Sequence, residues 1–198
     1  MLTESYSVNS KGHLCLGGAD KVELAKEFGT PLYVFDEKDI RNNCKNFKQA
    51  FNEYYDGNAL VLYASKAFSC KEMYRLVHSE GLGIDVVSGG ELYTALAAGF
   101  PAEKIYFHGN NKTPNEIEYA LDSKIGRIVA DNIYELENID RIAKDKGIKA
   151  QILLRIKPGI DAHTHDFIKT GQIDCKFGFA LENGEAYDAV KSISKMEN

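Results

Sequence analysis

The sequence predicts an α/β protein in which a parallel sheet is covered by helices, and three observations carry that prediction. Short apolar runs suited to strands recur over residues 59–66, 83–87, 105–107, 127–130 and 150–156. Each of the first four is followed by a helix-start signal, at Ser69, Ser88, Thr113 and Asn132, with a glutamate three residues further on. Such a pair can satisfy two backbone N–H groups reciprocally, as a capping box. These four positions lie 19, 25 and 19 residues apart, the length of one strand and one helix with their turns. A single cap stabilises by about 1 kcal/mol, too little to build a fold. As punctuation, four repeats of strand, cap and helix mark βα units and hence a parallel sheet. Right-handed crossovers leave two arrangements, a doubly wound sheet or a (β/α) barrel. No GxGxxG follows the first strand, which weighs against a dinucleotide-binding fold.

Taken in order, the chain begins with a different rhythm. Over residues 1–35, runs at 13–16 and 32–35 read as strands. Gly17-Gly18 and a short helix over 22–28 separate them, and Gly29 and Pro31 end that helix. From Asp36 onward the alternation takes over. Asp36 precedes a helix whose Ile40, Cys44, Phe47 and Phe51 fall at offsets 0, 4, 7 and 11, on one face. The run over 59–66, Ala-Leu-Val-Leu-Tyr-Ala-Ser-Lys, reads as a strand buried on both faces and ending in Lys66. The Ser69 helix carries Met73, Leu76 and Val77 inward and stops near Gly81, and the Ser88 helix carries Leu92, Ala95 and Leu96. The Thr113 helix has Pro114 at its first position, where the missing N–H costs nothing. Leu136, Ile139 and Ile142 give the Asn132 helix its apolar face, and a last helix is expected over 186–194.

Composition narrows the function. The 198 residues are 44% hydrophobic and 27% charged, ordinary for a globular protein. A net charge of −5 and the absence of any long basic run argue against nucleic acid as a partner. No apolar stretch approaches the ~20 residues that cross a bilayer, and Met-Leu-Thr-Glu-Ser does not resemble a signal peptide, so a cytoplasmic protein without membrane contact is expected. Cys15, Cys44, Cys70 and Cys175 are far apart and form no CxxC pair, so they read as reduced thiols rather than metal ligands or a disulfide scaffold.

In a (β/α) barrel, chemistry gathers where strands finish. The residues at those places are Lys66, Asp85, His108, Asp131 and Arg155. A lysine taken out of water can act as a nucleophilic amine and form a Schiff base with a carbonyl. Glu91 is explained structurally as the partner of Ser88 in a capping box. Gly89-Gly90 at a helix start is a weak anion-binding signal. His163 and His165 lack a third ligand nearby and read as loop residues, so no metal site is expected.

Five stretches recur together: Tyr63-Ala64-Ser65-Lys66-Ala67, Asp85-Val86-Val87-Ser88-Gly89-Gly90-Glu91-Leu92, His108-Gly109-Asn110-Asn111-Lys112, Arg155-Ile156-Lys157-Pro158-Gly159 through His163-Thr164-His165, and Lys176-Phe177-Gly178. In this order and spacing, over most of residues 31–178, they resemble the diaminopimelate decarboxylases. The resemblance implies a pyridoxal 5′-phosphate (PLP)-binding (β/α)8 TIM-type barrel of the alanine-racemase-like fold, with about five βα units within 36–198. Residues 1–35 would then belong with a second β-domain. It also implies that Lys66 holds PLP as a Schiff base and that Asp85, His108 and Arg155 line the cofactor pocket. The implied reaction removes carbon dioxide from the D-configured centre of meso-diaminopimelate to give L-lysine, in an enzyme that works as a homodimer.

The resemblance also implies parts that this sequence lacks: three further strands, a glycine-rich phosphate loop, a glutamate for the pyridine nitrogen and a C-terminal β-domain. The chain is therefore expected to be the N-terminal portion of a longer decarboxylase and to be inactive alone. Two alternatives stand beside this reading. One is a decarboxylase of the same fold acting on ornithine, arginine or carboxynorspermidine. The other is a non-catalytic PLP-binding barrel, against which the presence of Lys66 counts.

Overall fold

A computed structural model describes residues 5–160 and 176–198. The chain forms two compact units, Met1–Val61 and Leu62–Asn198.

In the first unit, β1 (Tyr6–Val8), β2 (Leu14–Leu16) and β3 (Ala19–Asp20) make an antiparallel meander in the order β1-β2-β3. Tyr6 pairs with Leu16, and Cys15 pairs with Asp20. Gly17 and Gly18 turn the chain between β2 and β3 at φ +58° and +84°, which side chains rarely adopt. Helix α1 (Lys21–Phe28) starts where the Asp20 carboxylate accepts the N–H groups of Val22 and Glu23, and stops at Gly29. Helix α2 (Glu37–Tyr54) is capped in the same way by Asp36.

Two expectations for this unit need correction. Residues 32–35 form no strand: none of the described strands pairs with them, and Tyr33 and Phe35 are exposed. The stripe on α2 is real as a pattern, but only Cys44 is buried, with Phe47 61% and Phe51 41% exposed. A periodic apolar face buries only if something packs on it.

The second unit is built on five parallel strands: β4 (Leu62–Ala64), β5 (Gly83–Val86), β6 (Ile105–Phe107), β7 (Arg127–Ala130) and β8 (Ile152–Leu154). Their spatial order is β4-β5-β6-β7-β8. A doubly wound sheet reverses its strand order at a switch point, whereas a barrel adds strands in sequence. The unbroken order therefore selects the barrel arrangement that the sequence left open.

Between the strands run α3 (Lys71–Ser79), α4 (Gly89–Ala97), α5 (Pro114–Asp122) and α6 (Ile133–Lys146). The register puts Ile84 beside Ile105, and Val86 beside Phe107. Phe107 in turn lies beside Ile128. All five are essentially inaccessible, and this is the face that the helices cover. With Leu92, Ile117, Leu136 and Ile139 they form the core. Asp85 and Tyr106 share the opposite, more open face. A short parallel pair, β9 (Ile156–Lys157) with β10 (Phe179–Ala180), and helix α7 (Glu185–Ile193) follow.

The helix starts correct the sequence reading in detail. Only Thr113 forms a full capping box: its hydroxyl accepts from Glu116 N, and Glu116 reaches back to Thr113 N. Helix α3 begins one residue later than expected, with the Cys70 thiol as cap, because Ser69 Oγ is engaged with the Tyr74 hydroxyl at 2.8 Å. Ser88 and Asn132 cap as expected, accepting from Glu91 N and Glu135 N. Their glutamates do not return to the cap. Glu91 accepts the Val87 N–H at 2.8 Å, and Glu135 turns into the protein interior.

Candidate active site

The strand ends of the second unit converge on one cleft of about 450 Å³, lined by Lys66, Asp85, His108 and Arg155. Asn110, Asn111, Lys176 and Phe177 complete its rim. Four of the five strand-end residues named from the sequence are therefore brought together; the fifth, Asp131, does not line the cleft but pairs with Arg155.

Lys66 sits in a 3-10 turn, Ser65–Ala67, immediately after β4 rather than at the end of an eight-residue strand. The strand itself has three residues, Leu62 and Tyr63 are half-buried and Ala64 is exposed. Burial on both faces is thus not met, because β4 is an edge of the described sheet. Lys66 is exposed, with its neighbour Ser65 fully buried.

Asp85 pairs in register with Ala64, two residues before Lys66. Its Oδ1 is buried and finds no hydrogen-bond partner among the described residues. Burial, then the nearby charge of Glu91, pushes the Asp85 carboxyl up to about 6, against the opposing pull of Lys66, Arg155 and Lys112. A carboxyl with a free buried oxygen and a displaced pKa in a cleft is a functional-site signature.

His108 follows β6 and is fixed by its backbone, His108 N donating to Val86 O at 2.8 Å. Burial, reinforced by the positive charges of Arg155 and Lys112, lowers its pKa to about 4. The imidazole is therefore neutral at physiological pH and presents one donor and one acceptor.

Arg155 follows β8, its N–H donating to Ala130 O. The guanidinium pairs with buried Asp131 at 3.1 Å and lies over the Phe177 ring at 4.3 Å. Ion pair and stacking together fix the plane of its donors. Gly178, at φ +69°, is required here, because a Cβ would lie 2.6 Å from Arg155 O.

One weaker sequence signal, Gly89-Gly90, resolves as structure. The Gly89 N–H is not open to an anion; it donates to Glu116 Oε1 at 2.8 Å, tying the start of α4 to the start of α5. Burial works against the charge of Glu116, but the N–H groups of Thr113 and Gly89 outweigh it and hold the carboxyl below its usual range. Among the described residues, His13, Asp20 and Glu23 are close enough to share a metal ion. Their geometry has another explanation: His13 Nδ1 and Asn9 Nδ2 both bond Asp20, which caps α1. His163, His165 and Cys175 lie outside the described residues. No described helix is long and apolar enough to cross a membrane.

The sequence reading missed Lys112 and Glu135, a buried ion pair of 2.8 Å beneath the cleft. Glu135 already had a local explanation as the cap partner of Asn132, and Lys112 carried no signal beyond its place in the His108–Lys112 stretch.

Comparison with known proteins agrees with this geometry. Residues 37–198 match the family described as pyridoxal-dependent decarboxylase, pyridoxal binding domain. The diaminopimelate decarboxylase of Bacillus methanolicus is 58% identical over 184 residues, covering 93% of this chain and 42% of that protein. That of Bacillus subtilis is 53% identical over 190 residues, covering 96% and 43%. Among solved structures, the diaminopimelate decarboxylase of M. jannaschii in complex with L-lysine superposes with a TM-score of 0.89 at 38% identity, over 100% of this chain and 46% of that one. The chain thus spans less than half the length of these relatives. With the matched segment covering the βα units and every residue of the cleft, the chain belongs to the pyridoxal-dependent decarboxylase family, of which it carries the pyridoxal binding domain.

Proposed function

We propose that the whole protein decarboxylates meso-2,6-diaminopimelate at its D-configured centre, releasing carbon dioxide and L-lysine, with PLP held at Lys66. The observation that carries this reading is the cleft itself: an amine, a carboxyl whose buried oxygen has no partner among the described residues, a neutral imidazole and a fixed guanidinium, at the ends of four of the five strands. The high identity to diaminopimelate decarboxylases supports the choice of substrate.

The residues fit a pyridoxal group. Lys66 supplies the primary amine that an aldehyde needs, exposed on the turn after β4. The free oxygen of Asp85 supplies a hydrogen-bond site for a polar or cationic group. When bound, PLP supplies an electron sink for the charge left as carbon dioxide departs. The chain's own contribution is placement. Arg155, locked by Asp131 and Phe177, offers positive charge to an anionic group of cofactor or substrate. His108, uncharged, can hydrogen-bond without adding a second cation beside Arg155.

A homodimeric, cytoplasmic enzyme is part of the same reading, as is pairing of residues 1–35 with a second β-domain. The test is an assay of the whole protein with meso-diaminopimelate, ornithine, arginine and carboxynorspermidine. Lysine formation from the first alone, lost in Lys66→Ala, is the expected result. Turnover of another amino acid instead would overturn the substrate, and no PLP-dependent turnover of any would leave a binding barrel.

A further inference from the structure

Three charged side chains outside the lining of the cleft are buried: Lys112 at 7% exposure, Glu135 at 3% and Asp131 at 3%. They are continuous. Lys112 Nζ has three donors and three partners, Glu135 Oε1 at 2.8 Å, Gly109 O at 2.7 Å and Val129 O at 2.9 Å. The Glu135 carboxylate is also coupled electrostatically to Asp131, whose backbone favours its charge and whose carboxylate opposes it. The Asp131 carboxylate in turn holds Arg155 at 3.1 Å. One end of the network therefore grips the carbonyl that follows His108, and the other grips the guanidinium that enters the cleft.

A buried ion pair seldom adds stability over an apolar pair of the same size, so stability alone does not account for it. Its geometry does. Gly109 stands at φ +103°, where a Cβ would lie 3.2 Å from Val87 O, so the chain after His108 passes close over the end of β5. The Lys112 ammonium donates to the carbonyl of this same glycine.

We propose that Lys112, Glu135 and Asp131 are positioning residues, a buried ionic brace that sets the His108–Lys112 turn and the Arg155 guanidinium at their places in the cleft. The proposal rests on the reading of the cleft as the cofactor site. Lys112 and Glu135 would touch neither cofactor nor substrate.

The test uses the whole protein. Lys112→Met combined with Glu135→Leu removes both charges at once and leaves neither partner buried alone. Amide hydrogen exchange without cofactor is expected to speed up at least tenfold at His108 to Asn111, while Val129 and Ala130 in the adjacent strand keep their protection. PLP affinity, read by absorbance, is expected to fall at least fivefold. Asp131→Asn, which is isosteric, serves as the second variant and is expected to weaken PLP binding at least fivefold with little change in unfolding midpoint. Parent-like exchange in the double variant would overturn the brace. Should the double variant not fold, PLP affinity within twofold of the parent in Asp131→Asn would overturn it. If the parent itself binds no PLP at Lys66, the cofactor reading fails, and the exchange experiment still decides the brace.

Discussion

Replacing Asp85 by asparagine removes one charge and almost no volume, and its effect on stability has a definite sign. In the folded protein the carboxyl titrates near 6 rather than near 3.8, because burial and then Glu91 disfavour its charge more than Lys66, Arg155 and Lys112 favour it. A group whose folded pKa is raised stabilises the fold below its unfolded pKa, and that contribution is lost as pH rises through the folded value. The window is therefore pH 4 to 6. Were the carboxyl fully enclosed, the lost contribution would reach about 3 kcal/mol at neutral pH. Asp85 is only half-buried, and solvent screening reduces this to about 1–2 kcal/mol. Urea unfolding of the cofactor-free whole protein should find parent and Asp85→Asn equally stable near pH 4. The variant should then gain about 1–2 kcal/mol by pH 7–8. A difference that does not change with pH would refute the assignment of a raised pKa to Asp85.

Gly126→Ala would drive a Cβ into the carbonyl oxygen of Glu103 and to 3.0 Å from its carbon, both backbone atoms. A loss of about 1–3 kcal/mol in urea unfolding is expected, as for other overpacked sites. Thr113→Ala removes the one complete capping box among the described helices and should cost about 1 kcal/mol by the same measurement. Gly178→Ala meets both a strained φ of +69° and the Arg155 carbonyl, so it should weaken PLP binding more than it shifts the unfolding midpoint. Titration of both properties in one preparation checks that order.

Much of the second unit was legible because its signals are local. Turn residues, caps and apolar runs of strand length placed β5, β6, β7 and the helices α4, α5 and α6 close to where they fold. Lys66, Asp85, His108 and Arg155 were legible for a related reason, since a strand-end position is a sequence property once the strands are known. What failed depended on tertiary partners. Residues 32–35 have strand composition, but no described strand pairs with them. Ser69 is a better cap than cysteine by type, yet the Tyr74 hydroxyl takes its oxygen. Glu135 fitted a capping box at the right offset, and only the fold shows Lys112, 23 residues earlier, waiting for it in the interior. The choice between barrel and doubly wound sheet likewise needed the spatial strand order, which local pattern does not encode.

The central claim is that Lys66 is the residue that carries PLP. The most direct measurement adds PLP to the protein, reduces with borohydride and maps the modified peptide. The account predicts label confined to the peptide containing Lys66 and absent from Lys66→Ala. Label spread over surface lysines, or a Lys66→Ala variant labelled like the parent, would contradict it.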